Sequence, residues 1–262
     1  MVPLPSVFIS HGSPMHALKA GAAGTAWAAL GKRIGTPQAI LIASAHWETN
    51  IPMVTGAERP DTIHDFSGFP EPLYKLRYPV PGAPKVAQQA LQVLKEQGLT
   101  AAIDGCRGLD HGAWAPLLYM YPDAKVPVVQ ISLQPELGTR HHLRLGRALR
   151  KLEEDNVLVI GSGHMTHNLR DWARAPRGTE GTPAPYAREF SEWVRERLET
   201  HDLDTLADYR SRSPHCARAH PTDEHFLPLF FAVGAARDDY KPERIFSGID
   251  SGVLSMDAYV FN

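Results

Sequence analysis

Four short, nearly unbroken apolar runs punctuate the chain: Leu4–Ile9, Ala39–Ala43, Val126–Ile131 and Val157–Ile160. A run of this length without polar alternation fits a strand buried on both faces, as in a parallel sheet. Helical patterns lie between and after them. The spacing predicts helix over Gly24–Ile34 and over Ala83–Gln97, where Val86, Ala87, Ala90, Leu91 and Leu94 share a face and Gly98 stops it. Further helices are expected over Thr139–Glu153, with Leu143, Leu145, Leu149 and Leu152, and over Tyr186–Glu199, with Phe190, Trp193, Val194 and Leu198. Glu224–Ala236 reads as an apolar helix. Arg244–Phe261 reads as a two-stranded hairpin across Asp250-Ser251-Gly252.

Strands alternating with helices predict an α/β layered fold: a central, mostly parallel sheet with helices on both faces. There is no repeat and no long linker. The stretches Ala173–Pro185 and Arg210–Thr222 read as loops, and neither separates two self-sufficient cores. Residues 1–262 are expected to form one domain.

Composition narrows the function. With 43% hydrophobic and 21% charged residues, the chain can bury a sizeable core. A formal net charge of −2 gives no electrostatic footprint for nucleic acid or an anionic membrane. No run approaches the roughly 20 apolar residues that span a bilayer. Met1–Ser10 lacks a basic leader, so no signal peptide and a cytoplasmic setting are expected. Two cysteines, Cys106 and Cys216, far apart, support neither a disulfide framework nor a cysteine-built zinc site. Thirteen histidines, against nine phenylalanines, are the compositional anomaly.

Their positions give that anomaly meaning. Three of the four strands run into histidine: Ile9-Ser10-His11-Gly12, Ser44-Ala45-His46-Trp47 and Gly161-Ser162-Gly163-His164-Met165-Thr166-His167. In a parallel sheet these ends share one edge, where α/β proteins bind ligands. So His11, His46 and one of His164 or His167 are expected to converge. Clustered imidazole suits a transition metal such as Zn, Fe, Cu or Ni. Glu224 and His225, before the apolar helix, offer a further donor. His16, His141, His142 and His201 sit in polar or helical surface contexts, and His215 and His220, in the polar stretch before Glu224, are open between surface and site. His64 reads as a turn residue or pocket wall. His111 stands at a loop-to-helix junction where Asp110 is placed to orient its ring.

Other chemistries find less support. Neither a dinucleotide glycine fingerprint nor a P-loop is present. Gly161-Ser162-Gly163 lacks the preceding glycine of a nucleophile elbow. Ser10, Ser13 and Ser162 keep only a weak serine-hydrolase option. Cys106 reads as a small buried thiol before a nucleophile.

Taken in order, the residues resemble the class III, LigB-like extradiol ring-cleavage dioxygenases, and within them the DOPA 4,5-dioxygenase type. The resemblance is carried by His11-Gly12-Ser13-Pro14-Met15, Ser44-Ala45-His46-Trp47, Thr62-Ile63-His64-Asp65-Phe66 with Gly68-Phe69-Pro70, and Asp110-His111-Gly112-Ala113-Trp114. It continues through His167-Asn168-Leu169-Arg170 and Pro221-Thr222 with Glu224-His225. It spans nearly the whole chain.

That resemblance implies a single-domain α/β fold with one mononuclear non-haem metal at the sheet edge. It implies His11, His46 and His225 as metal ligands. His167 matches a further histidine that is either a ligand or the acid/base. The broader group supplies two histidines and a carboxylate, whereas the third position here is His225 with Glu224 beside it. An all-histidine site suits Zn(II) as well as Fe(II). The expected reaction is cleavage of a DOPA-like catechol with O₂ to a ring-opened semialdehyde. His167 is then the acid/base or a labile fourth ligand, and His111 a second acid/base or substrate anchor. His64, Trp47 and Trp114 are expected to wall the aromatic pocket. The alternatives are a zinc hydrolase on the same site and a non-catalytic zinc-binding relative. The oligomeric state is not specified by any heptad or apolar patch.

Overall fold

The structure is a computed structural model that describes residues 3–175 and 183–262. Its strands are β1 (Ser6–Ser10), β2 (Ala39–Glu48), β3 (Met53–Thr55), β4 (Ala102–Asp104) and β5 (Val128–Leu133). They continue with β6 (Val157–Gly163), β7 (Pro242–Phe246), β8 (Ile249–Asp250), β9 (Leu254–Ser255) and β10 (Ala258–Phe261). Eight of them form one sheet in the order β4-β3-β5-β2-β6-β1-β10-β7. The central strands β5, β2, β6 and β1 are parallel neighbours, and β3 pairs parallel with β4. The junctions β3–β5, β1–β10 and β10–β7 are antiparallel. The expected α/β fold with a mostly parallel sheet is thus present.

The unbroken apolar runs have a simple cause. Side chains alternate across a strand. Val7, Ile9, Ile40, Ile42, Leu158 and Ile160 face a core built with Trp27, Trp114 and Leu117. Leu41, Ala43, Val129, Val157 and Val159 face the other way, toward Leu94, Leu145 and Phe231. Phe8 joins a third cluster with Phe190, Phe226 and Phe230. With both faces covered, no position in the central strands can be polar without a partner.

Several boundaries move. The first helix begins earlier, at Gly21, and runs to Ile34. The arginine-rich helix spans Gly138–Leu149 and tightens into a 3₁₀ stretch, Arg150–Asp155. The last apolar helix covers only Leu227–Ala235, with Pro228 in its first turn, so Glu224 and His225 lie outside it. The C-terminal hairpin is two nested pairs: β7 with β10, and between them the short ribbon β8–β9. Ser251 and Gly252 turn that ribbon with positive φ, as the Asp-Ser-Gly sequence predicts. Of the expected loop Ala173–Pro185, Ala173 and Arg174 end the helix Leu169–Arg174, and Pro185 starts the helix Pro185–Glu199. Residues 176–182 lie outside the described residues. The second loop, Arg210–Thr222, contains helical turns at Tyr209–Arg212 and Cys216–Ala219.

Candidate metal centre

Sheet register brings the first histidines together. Ser162 on β6 pairs with Ile9 on one side and with Ser44 on the other. His11, His46 and His164 each stand two residues beyond those partners, so they lie at one level of the sheet edge. His225 arrives from a separate turn. Gly163 lets that turn close on β6, because any Cβ there would strike the His225 carbonyl. The His164 amide donates to that same carbonyl at 2.7 Å.

Three imidazoles turn the same nitrogen inward. His46 Nε2 lies 3.1 Å from His11 Nε2 and 3.3 Å from His225 Nε2. A metal about 2.0–2.1 Å from each nitrogen would set neighbouring ligand nitrogens about 2.9–3.4 Å apart. Each outer nitrogen is occupied. His11 Nδ1 lies 3.0 Å from Ser162 Oγ, which itself donates to the Gly112 carbonyl at 2.5 Å and therefore accepts from the ring. His46 Nδ1 lies 3.3 Å from Asp65 Oδ2. His225 Nδ1 lies 3.0 Å from Glu224 Oε1. Hydrogen bonds at Nδ1 fix the tautomer that leaves Nε2 with its lone pair, which is what a metal-binding histidine needs.

His111 opens the helix His111–Met120. Asp65, not Asp110, orients its ring: Asp65 Oδ2 is 2.8 Å from His111 Nδ1, and Oδ1 accepts the His111 amide at 2.8 Å. Asp110 caps the helix and receives Ser44, Gln130 and Arg107, which fixes the helix start against β2. Gly112 permits the close approach, since a Cβ there would meet Ser44 Oγ, His46 Cδ2 and His11 Cε1. Ring nitrogens of His11, His46 and His111 fall within 4.8 Å of one another, as do donor atoms of His167, Glu224 and His225. The His167 ring stacks on His225 at 3.5 Å, and His164 sits 5.2 Å from His11 by ring centres. Both histidines of β6's extension therefore reach the cluster.

These histidines floor a cavity of about 320 Å³. Its apolar walls are Pro14, Phe66, Phe69, Leu169, Trp172 and Leu254, and Gly12, Ser13 and Asp65 complete the lining. The expected walls Trp47, His64 and Trp114 lie outside this lining. Trp47 is buried under Arg107, 4.6 Å from guanidinium carbon to ring centre. Trp114 is buried and donates from Nε1 to the Ile63 carbonyl at 2.9 Å. His64 is held by the Leu76 carbonyl and packs on Phe66 and Trp114, one layer behind the wall. The missed wall residue Phe66 and the missed carboxylate Asp65 stand directly after His64 in the quoted motif. Only side-chain direction separates them from it. Ser10 Oγ donates to the Asp257 carbonyl and Ser162 Oγ to that of Gly112, while Ser13 lines the cavity with its Oγ accepting the Met15 amide. Cys106 is exposed rather than buried, on a loop away from the cavity.

Burial keeps the cluster uncharged. Desolvation, then the neighbouring imidazoles, pushes His11 and His225 well below the usual histidine range. Desolvation holds His46 and His167 down to about 4. Burial is the largest single influence on Asp65 and opposes its charge, but the His111 side-chain hydrogen bond, the charges of His111 and His46 and the His111 amide together outweigh it and hold the carboxyl at about 2. Two further histidines are structural. His142, read from sequence as surface, is buried, with Nδ1 2.7 Å from the Gly138 carbonyl and Nε2 accepting the Gln134 amide. His220 is buried against Phe226. Desolvation lowers His142 to about 4 and His220 to about 3.

An acid-lability prediction follows. Below the ordinary pKa of about 6.5 the unfolded chain takes up protons at these positions while the folded chain does not. Their contribution is intact above about pH 6.5 and is lost as pH falls toward 4. Each such group contributes a slope of about 1.4 kcal/mol per pH unit across that window. The melting temperature of chelator-treated protein is expected to fall steeply between pH 6.5 and 4.5. A flat profile there would contradict it.

Comparison with known proteins agrees with this geometry. A family model described as the catalytic LigB subunit of aromatic ring-opening dioxygenase matches residues 5–261. A 4,5-DOPA dioxygenase extradiol from Mirabilis jalapa is 41% identical over 229 residues, 87% of this chain and 84% of that protein. Its Escherichia coli K12 namesake is 38% identical over 262 residues, covering 97% and 93%. The crystal structure of an uncharacterized Escherichia coli K12 protein, JW3007, superposes with a TM-score of 0.83 at 31% identity, covering 99% of this chain and all of that one. With a family model matched end to end and relatives this similar, the chain belongs to the LigB family of extradiol, aromatic ring-opening dioxygenases.

Proposed function

We propose that this enzyme opens a catechol bearing one side chain, as DOPA does, beside its diol and within one domain spanning residues 1–262. The reaction joins one catechol and one O₂, and both oxygen atoms stay in a ring-opened semialdehyde. The proposed metal ligands are His11, His46 and His225. The observation that supports this choice is the matched pattern of Nε2 inward and Nδ1 anchored in all three. The residues fit a metal by donor type and spacing. We assign Fe(II) before Zn(II), because bound Fe(II) would pass electron density from the catechol to O₂ and zinc cannot.

The chain's own groups supply the proton handling. His111, with Nδ1 on Asp65, presents Nε2 as an acceptor and is assigned to take a catechol proton. His167 is assigned to carry a proton between the ring oxygen and the opening product. Phe66 and Phe69 hold the aromatic ring and exclude water. Among the described residues no helix is long and apolar enough to cross a membrane. A cytoplasmic setting is supported by two free cysteines.

The test is an oxygen-uptake assay on protein prepared anaerobically and loaded with Fe(II). Adding DOPA should consume one O₂ per ring and produce a coloured semialdehyde. No uptake with any catechol, at full iron occupancy, overturns the assignment.

A further inference from the structure

The cavity is polar at its floor and apolar at its mouth. We infer that the enzyme prefers catechols whose ring substituent is neutral and apolar over those whose substituent is zwitterionic; this rests on the ring-cleavage function proposed above. Leu169 and Trp172 carry the argument. They stand three residues apart on the helix Leu169–Arg174, so they share one face, and both line the cavity. Yet they are 54% and 37% exposed, among the most exposed large apolar side chains in the chain. Their helix is tied down by the Asn168 cap and by Arg218 gripping Asp171 at 2.8 Å. Phe66 and Phe69 line the same cavity. Exposed apolar surface continuous with a metal site marks where a ligand is covered.

Charge points the same way. No lysine or arginine lines the cavity among the described residues. Three arginines elsewhere around it are engaged in other contacts. Arg107 pairs with Asp110 and covers Trp47. Arg77 donates to the Tyr74 and Leu76 carbonyls. Arg218 holds Asp171 and covers Tyr186. The carboxylate in the wall, Asp65, already serves His111 and His46. An amino-acid side chain entering here would lose hydration from two charges, with no lysine or arginine in the described lining to meet its carboxylate and only the already engaged Asp65 for its ammonium. An alkyl group would instead bury against Leu169 and Trp172.

The test separates binding from turnover. Protein loaded with Zn(II), which cannot cycle electrons to O₂, is titrated with 4-butylcatechol, catechol and L-DOPA under nitrogen. We expect 4-butylcatechol to bind about tenfold or more tightly than L-DOPA, within the range that apolar pocket contacts supply. Trp172→Ala should weaken 4-butylcatechol more than it weakens catechol. Leu169→Arg, at a position already exposed, should shift preference toward L-DOPA. With iron-loaded protein, kcat/KM for oxygen uptake should follow the same order. L-DOPA binding as tightly as 4-butylcatechol overturns the inference even if both are cleaved, and so does a preference unmoved by Leu169→Arg. Failure to cleave any catechol defeats the dioxygenase assignment instead, and the zinc-protein titration still decides this one.

Discussion

Replacing His46 with alanine is expected to leave the protein without bound metal. His46 is the middle of the three inward nitrogens, within 3.1 and 3.3 Å of the other two. Its loss leaves His11 and His225 as a two-donor pair, below the three protein ligands of an open mononuclear site. Removing only an orienting partner of a ligand already costs about 10–100-fold in metal affinity. Removing the ligand itself should exceed that. His11→Ala is expected to behave alike, and Ser162→Ala, which deletes the His11 Nδ1 acceptor and the donor to the Gly112 carbonyl but no ligand, should fall in the milder range. Elemental analysis after dialysis reads the result, with melting curves in chelator to show that each variant folds. Metal retained at wild-type stoichiometry in both alanine variants would show that the site lies elsewhere.

The second large effect is expected at His167. Its ring lies nearly parallel to that of His225, at 3.5 Å and 11°. A stacked ring turns its edge, not its face, toward the cavity, where it can exchange a proton. Desolvation, then the charges of its imidazole neighbours, lowers it to about 4, so it is neutral near pH 7. In the resting enzyme it can therefore accept a proton but has none to give. It becomes an acid only after taking one from the substrate, which suits one group serving both halves of the cycle. His167→Gln is expected to keep metal and to lose about 10²–10⁴-fold in kcat, the usual worth of a positioned acid/base. Loss of metal in this variant would instead make His167 a ligand. His111→Gln should also keep metal while losing turnover, because His11, His46 and His225 would still supply three inward nitrogens.

Much of this site can be read along the chain. The runs ending in Ser10-His11 and Ser44-Ala45-His46 show where β1 stops and where β2 leaves the fully apolar part of the sheet, because a strand buried on both faces must be apolar there. The short strands β3 and β4 escape notice, since three residues carry no usable period. By adjacency Asp110 is the natural partner of His111. As the helix N-cap, however, it points its carboxylate at Ala113, Ser44 and Gln130, leaving the ring to Asp65 from another segment.

The layered α/β fold, the sheet edge that carries the site and the imidazole chemistry placed there are all legible along the chain. These follow from local rules: burial of both strand faces, helical periodicity, and the preference of nitrogen donors for transition metals. Tertiary structure alone decided the convergence. The register of Ile9, Ser162 and Ser44 levels His11 with His46, and a turn some sixty residues further on delivers His225 beside them. It also decided that Phe66, Phe69, Leu169 and Trp172 form the wall while Trp47, His64 and Trp114 stand behind it. Whether an aromatic ring faces a cavity or the core depends on what packs on its other side, and that neighbour is distant in sequence.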